Sequence, residues 1–140
     1  MKTWLLDAGP IIALADSRDP SHEAAAGVMG PFRGRLITTG AVLVEAFHLV
    51  RRYPRGPDHL LEFLEMSGTT TVECCQRDSL RAALALMNKY ADTPMDFADA
   101  TLVLLADHVG AYDICTLDRR GFQTFRTAKG KRFRLALDGG

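Results

Sequence analysis

Several features are scarce in this 140-residue chain, and each scarcity argues against a class of protein. No apolar run approaches the roughly 18 residues of a membrane-spanning helix, and the N-terminus lacks the basic and apolar segments of a signal peptide. The few cysteines are Cys74, Cys75 and Cys115, and their spacing is not typical of a metal site. We therefore expect a cytoplasmic protein whose cysteines are reduced packing residues.

Net charge is also absent: the formal charge is zero, so the whole-molecule balance argues neither for nor against a nucleic-acid partner. From Arg119 onward, however, the chain is locally basic. The composition, 47% apolar and 24% charged, is ordinary for a globular protein, and no repeat or low-complexity segment is visible. The length fits a single domain over residues 1–140.

Short apolar or β-branched runs alternate with segments of helical periodicity. Strands are predicted at residues 3–6, 35–38, 69–74, 112–117 and 131–135. Helices are predicted from Pro10, at 22–26, 40–50, 58–66 and 77–90, and from Pro94. This alternation predicts an α/β fold with a mostly parallel central sheet, flanked by helices on both faces.

The segment from Thr93 to Ala106 is the most informative. If Thr93 is the N-cap and Pro94 the first helical residue, Asp96 and Asp99 are neighbours on one helix face. Paired carboxylates repel, so a divalent cation with oxygen ligands is expected between them. The alternative is that Asp96 serves only as the acidic partner of a capping box.

Two further acids follow predicted strands. Asp7 comes directly after the first strand and Asp118 after the fourth, and open parallel sheets place their ligands at these strand ends. As an N-cap, Asp7 would also have a purely structural role.

Glu45 lies in the middle of the helix at 40–50, which is apolar nearly all round and is therefore expected to be buried on more than one side. A lone carboxylate in that setting is costly unless it is paired or binds a metal. The structural alternative is an ion pair with Arg51 or Arg52.

If the strand ends share one edge of the sheet, these carboxylates meet in one pocket. Oxygen ligands without His or Cys select Mg²⁺ or Mn²⁺, and such a site suits phosphodiester hydrolysis. Whether one or two ions bind is left open.

In order, the motifs are Leu-Leu-Asp7 followed by Gly-Pro, Val-Glu45-Ala, Met-Asp96-Phe-Ala-Asp99-Ala, and Thr-Leu-Asp118-Arg-Arg-Gly-Phe. Together they resemble the PIN-domain family, and most closely its VapC-type toxin ribonucleases. The resemblance implies a PIN fold, Mg²⁺- or Mn²⁺-dependent endoribonuclease activity, a cognate antitoxin and a homodimer. It also implies that Asp7 and Asp99 are the principal metal ligands, Glu45 the second acid, Asp118 the fourth, and Asp96 an additional acid.

Basic residues are candidates for RNA binding. Arg51, Arg52, Arg119 and Arg120, with the basic C-terminal segment, have the charge to hold RNA phosphates, or equally an acidic stretch of the antitoxin. Two other functions remain open. One is an inactive PIN-like binding module, and the other a Mg²⁺-dependent phosphoryl-transfer domain, although the latter would need a strand-end Lys that the sequence lacks.

Overall fold

The computed structural model describes residues 1–138, in which strands and helices alternate as predicted. The strands are β1 (Thr3–Leu6), β2 (Arg35–Thr39), β3 (Thr70–Val72), β4 (Asp113–Cys115) and β5 (Arg134–Leu135). The helices are α1 (Ala8–Ala15), α2 (His22–Met29), α3 (Gly40–Val50), α4 (Gly56–Ser67), α5 (Arg77–Lys89), α6 (Phe97–Val109) and α7 (Arg119–Thr124). None of these helices is both long and apolar enough to cross a membrane.

The strands form one sheet in the order β3-β2-β1-β4-β5. Every pairing between them is parallel, which confirms and sharpens the predicted, mostly parallel sheet. The chain steps outward from β1 to β3 and then returns to build β4 and β5 on the other side. Because crossovers between parallel strands are right-handed, this reversal places α1–α4 on one face and α5–α7 on the other. The connections change direction between β1 and β4, which is where open sheets bind ligands.

The core surrounds the two central strands. Leu5 and Leu6 of β1 and Ile114 and Cys115 of β4 are fully buried. Continuous burial is expected of parallel strands that helices cover on both faces. These strands therefore hold the adjacent loops in fixed positions at the carboxyl edge of the sheet.

Several element boundaries differ from the prediction. The strands predicted at 69–74 and 112–117 are shorter, and α1 begins at Ala8 rather than at Pro10. The reason at this edge is capping: Asp7 accepts the Ala8 N–H, which starts the helix immediately after β1. Helix α4 ends at Gly68, which adopts the left-handed conformation (φ 65°) that terminates helices.

Candidate active site

The first acid of the site is fixed by the register of the central strands. Leu6 pairs with Cys115, so the next residues along, Asp7 and Thr116, lie side by side at the sheet edge. The Thr116 hydroxyl donates to Asp7 Oδ2 at 2.7 Å, and the Ala8 N–H donates to Asp7 Oδ1 at 2.8 Å. Asp7 is only 9% exposed. It is thus both a helix cap and an acid held in one orientation.

Asp118 follows β4, but it lies three residues beyond Cys115, the last residue of the strand, rather than directly at the strand end as predicted. Its carboxylate caps α7 by accepting the Gly121 N–H at 3.0 Å, and its own N–H donates to Thr116 Oγ1 at 3.0 Å. Thr116 therefore connects both strand-end acids. A Cβ at Gly121 would collide with the Asp118 carboxylate, so this carboxylate can adopt its capping position only because residue 121 is a glycine. Unlike Asp7, Asp118 is exposed.

Asp96 and Asp99 open α6, but three residues later than predicted. Asp96 is the N-cap, and Thr93 and Pro94 lie in the preceding turn. The Asp99 N–H donates to Asp96 Oδ1 at 2.8 Å, and the Asp96 N–H donates to Asp99 Oδ2 at 3.2 Å, which makes a reciprocal capping box. Met95, just before the cap, is 6% exposed, so its burial fixes where the helix starts. Each acid still has one carboxylate oxygen outside the box.

Glu45 lies on α3, for which the prediction of burial on more than one side was wrong. Only a single stripe of this helix, Val42, Ala46 and Val50, is fully buried, and Val44 is 72% exposed. Glu45 is half-buried between these surfaces. Among residues 1–138 it forms no ion pair. The structural alternative of a pair with Arg51 or Arg52 is therefore not observed.

The charges of these acids act on one another. Burial raises the pKa of Asp99 to about 8, with further contributions from the negative charges of Asp96, Asp7 and Asp118. Burial also raises the pKa of Asp7. The hydrogen bonds from Thr116 and Ala8 lower this pKa, and the negative charges of Asp96 and Asp118 raise it further, so that the net shift is upward.

The pKa of Glu45 is likewise raised, first by burial and then by the charges of Asp96 and Asp7. The structure thus brings together every acid that the sequence singled out, from four different helices. Their mutual repulsion is the electrostatic signature of a site that a cation would stabilise.

The side chains that converge here, Asp7, Glu45, Asp96, Asp99 and Asp118, all offer carboxylate oxygens, which fits a hard divalent cation. The carboxylates are not clustered as tightly as the ligands of a closed metal cage. Within residues 1–138, three potential metal ligands lie within 4.8 Å of one another at a different place, formed by Glu73, Cys74 and Cys75. A looser arrangement suits Mg²⁺, which keeps several waters and binds directly to one or two carboxylates.

Substituting Glu45 tests the electrostatic description. In metal-free protein, Glu45→Gln is expected to leave the free energy of unfolding unchanged or to raise it, because it removes one of several repelling charges. Urea denaturation in EDTA measures this, with Glu65→Gln on the exposed side of α4 as the control. Substantial destabilisation by Glu45→Gln alone would instead indicate a structural ion pair.

A pair of buried hydroxyls, which the sequence did not reveal, links α3 to α6. Thr101 Oγ1 donates to the Ala98 carbonyl at 2.6 Å, so at the 2.9 Å contact between the two hydroxyls Thr39 is the donor. Thr39 also caps α3 by accepting the Val42 N–H. This chain of hydrogen bonds fixes the helix carrying Glu45 against the helix carrying Asp99. Nothing in the sequence signals Thr101, which lies inside an apolar run.

Thr101→Val is expected to lower the free energy of unfolding by about 1–3 kcal/mol, because the buried Thr39 hydroxyl loses its acceptor. Thr101→Ser keeps the hydroxyl and serves as the matched control. Equal stability of the Val and Ser variants in urea denaturation would contradict a role for this hydrogen bond.

The candidate RNA-binding arginines fall into two places. Arg119 and Arg120 lie in the first turn of α7, next to Asp118, and Arg119 forms an ion pair with Asp138 at 3.2 Å. Arg51 and Arg52 follow α3, which starts at the carboxyl edge and runs away from it for about 16 Å. Arg51 contacts the His48 ring and Arg52 lies over the Tyr53 ring. Only the first pair is therefore beside the acids.

Parts of the basic C-terminal segment have structural roles. Arg126 donates from Nη1 to three carbonyls at the end of α7, and Arg134 forms an ion pair with the buried Asp113 at 2.6 Å. These two charges stabilise local structure.

Comparison with known proteins agrees with this architecture. The profile of the PIN domain family matches residues 4–128, and the chain belongs to this family. Ribonuclease VapC26 of Mycobacterium tuberculosis is 28% identical over 130 residues, covering 92% of this chain and 96% of that protein.

A solved structure shares the fold. The crystal structure of VapC20 from Mycobacterium tuberculosis, described as a sarcin-ricin loop cleaving toxin, superposes with a TM-score of 0.73. The superposition covers 82% of this chain and 89% of that chain, at 18% identity. At that identity, the likeness establishes the fold alone.

Proposed function

We propose that this protein is a metal-dependent endoribonuclease toxin of a toxin–antitoxin module. The observation that carries the proposal is the convergence of acids from four helices at the β1/β4 edge, where burial and mutual repulsion raise the pKa values of Asp7, Glu45 and Asp99. Membership of the PIN family and the likeness to a ribonuclease support the same reaction class.

Asp7 and Asp99 would hold the cation, with Glu45, Asp96 and Asp118 around it. A bound Mg²⁺ or Mn²⁺ supplies Lewis acidity, which lowers the pKa of a water and stabilises charge on the phosphoryl oxygens. Thr116 keeps the Asp7 carboxylate oriented. Glu45 or Asp118, at the sides of the cluster, would position the attacking water. The capping box keeps Asp96 and Asp99 at fixed separation on α6.

RNA phosphates would bind at the first turn of α7. Replacing Arg120 with Gln, alone or together with Arg119→Gln, is expected to weaken the binding of single-stranded RNA. The slope of log K against log salt concentration should become shallower by about 0.7 for each phosphate that the variant no longer neutralises. Arg51→Gln combined with Arg52→Gln, at the far end of α3, is the matched control. A larger effect from the control pair would place the RNA elsewhere.

The function is tested by incubating purified protein with a mixed RNA substrate in Mg²⁺, in Mn²⁺ and in EDTA. Cleavage that requires a divalent ion is expected. Equal cleavage in EDTA would contradict the metal-dependent mechanism. Metal binding without cleavage of any RNA in the mixture would favour an inactive PIN-like binding module.

The partners implied by the family resemblance, a cognate antitoxin and a homodimer, remain predictions, as does the cytoplasmic location expected from the sequence. Co-purification from cells that express the chain with its neighbouring gene, followed by measurement of the mass of the complex, tests the first two.

A further inference from the structure

Two adjacent cysteines follow β3 and were expected from the sequence to be packing residues. Cys74 is buried, but Cys75 is exposed, so for Cys75 that expectation was wrong. Both are free thiols, with their sulfur atoms 3.8 Å apart. Neither sulfur is therefore committed to a disulfide, and Cys75 gives the pair an exposed side.

A carboxylate completes the group. Glu73 Oε1 accepts the backbone N–H of Cys74 at 2.9 Å and that of Cys75 at 2.7 Å, which holds the carboxyl group against the turn. One potential ligand atom from each of Glu73, Cys74 and Cys75 lies within 4.8 Å of the other two. A cavity of about 450 Å³ borders Glu73 and Cys74 and leaves space beside the ligand atoms.

The distance between the sulfur atoms matches one metal geometry. Two thiolates bound to a tetrahedral Zn²⁺ at about 2.3 Å are about 3.8 Å apart, which equals the distance in the free protein. A disulfide would require the sulfur atoms to approach to about 2.05 Å. The spacing, at which the two thiols share an S–H···S hydrogen bond, is therefore also one at which both sulfurs can reach a single metal ion without moving apart.

We propose that Glu73, Cys74 and Cys75 bind one thiophilic divalent cation of the Zn²⁺ class, with the fourth position open. This site is separate from the acidic cluster: β3 lies two strands from β1, or about 10 Å across the sheet. Its sulfur ligands prefer Zn²⁺, for which Co²⁺ can substitute, whereas carboxylate oxygens alone prefer Mg²⁺ or Mn²⁺. Binding transfers the two thiol protons to the buffer.

Titration of the reduced full-length protein with Co²⁺ tests the proposal, because thiolate-to-cobalt charge-transfer absorption reports sulfur ligands and is silent for carboxylates. Saturation of this band at one Co²⁺ per chain, and its loss on displacement by Zn²⁺, are expected. Cys75→Ser, at an exposed position, should weaken binding at least tenfold and at least halve the charge-transfer band, because one of the two thiolate ligands is lost. Cys115→Ala and Asp99→Asn should keep both, because Cys115 is a distant buried thiol and Asp99 belongs to the acidic cluster.

Three outcomes would overturn the proposal. The first is a wild-type spectrum without thiolate charge transfer, and the second is an unchanged band in Cys75→Ser. The third is saturation at one ion per two chains, with the mass of a dimer that depends on the metal, since the ion would then bridge two molecules.

Discussion

Asp99→Asn is expected to lower metal-dependent RNA cleavage by at least about 10²–10³-fold while leaving the protein folded. The Lewis acidity of a bound cation contributes several kcal/mol to such reactions, and each 1.4 kcal/mol corresponds to a factor of ten in rate. Asparagine retains an oxygen that can accept the Asp96 N–H, so the capping box survives the change. The loss should therefore be one of activity and not of structure.

The matched control for this variant is Asp78→Asn. Asp78 is also an acid in the first turn of a helix, but its side chain is 97% exposed on α5. All three proteins are purified in the same way. The rate of RNA cleavage by Asp78→Asn should then equal that of the wild type. Full activity of Asp99→Asn would mean that the reaction takes place elsewhere.

The second large effect concerns the stability of the metal-free protein as a function of pH. The pKa of Asp99 is about 8 in the folded state, against an ordinary value of 3.8 for an aspartate side chain. Between these values the folded state binds more protons than the unfolded state, so the free energy of unfolding falls as pH rises. The fall due to Asp99 is on the order of 1–3 kcal/mol once solvent screening of this partly exposed group is allowed for.

Urea denaturation in EDTA from pH 5 to pH 9 measures this dependence. Asp99→Asn should flatten the curve and be more stable than the wild type at pH 8. Adding Mg²⁺ should restore the wild-type stability at high pH, by about 2.7 kcal/mol when its concentration is 100 times the dissociation constant. If the free energies of unfolding of the two proteins in EDTA changed with pH in parallel, the pKa of Asp99 would not be raised in the folded state.

The sequence was sufficient to predict the parallel sheet and the position of both strand-end acids. Asp7 was predictable because a buried apolar run ends directly before it, and parallel strands end at the same edge. Asp118 was predictable as the acid that follows the fourth strand, although Thr116 and Leu117 lie between it and the end of β4. The contribution of Thr116 required the register: only the pairing of Leu6 with Cys115 shows that its hydroxyl meets Asp7.

The two errors at the site have a common cause. Thr93 with Pro94 has good local capping chemistry, but Met95 is buried in the core, and tertiary packing therefore moved the cap to Asp96. The apolar sequence of α3 likewise suggested burial all round, whereas only one stripe contacts the core. In both cases the sequence correctly predicted a helix. Where the helix starts, and which of its sides is buried, depends on contacts with distant parts of the chain, which the local sequence does not specify.

The most direct test of the acidic cluster is a measurement of Mn²⁺ binding. Binding is monitored by the decrease in the electron paramagnetic resonance signal of free Mn²⁺. The wild type and Asp78→Asn should bind Mn²⁺ with the same affinity, and Asp99→Asn should bind at least about tenfold more weakly, since it loses one charged ligand of a site that prefers carboxylate oxygens. Unchanged affinity in Asp99→Asn would contradict the assignment of these acids as a cation site.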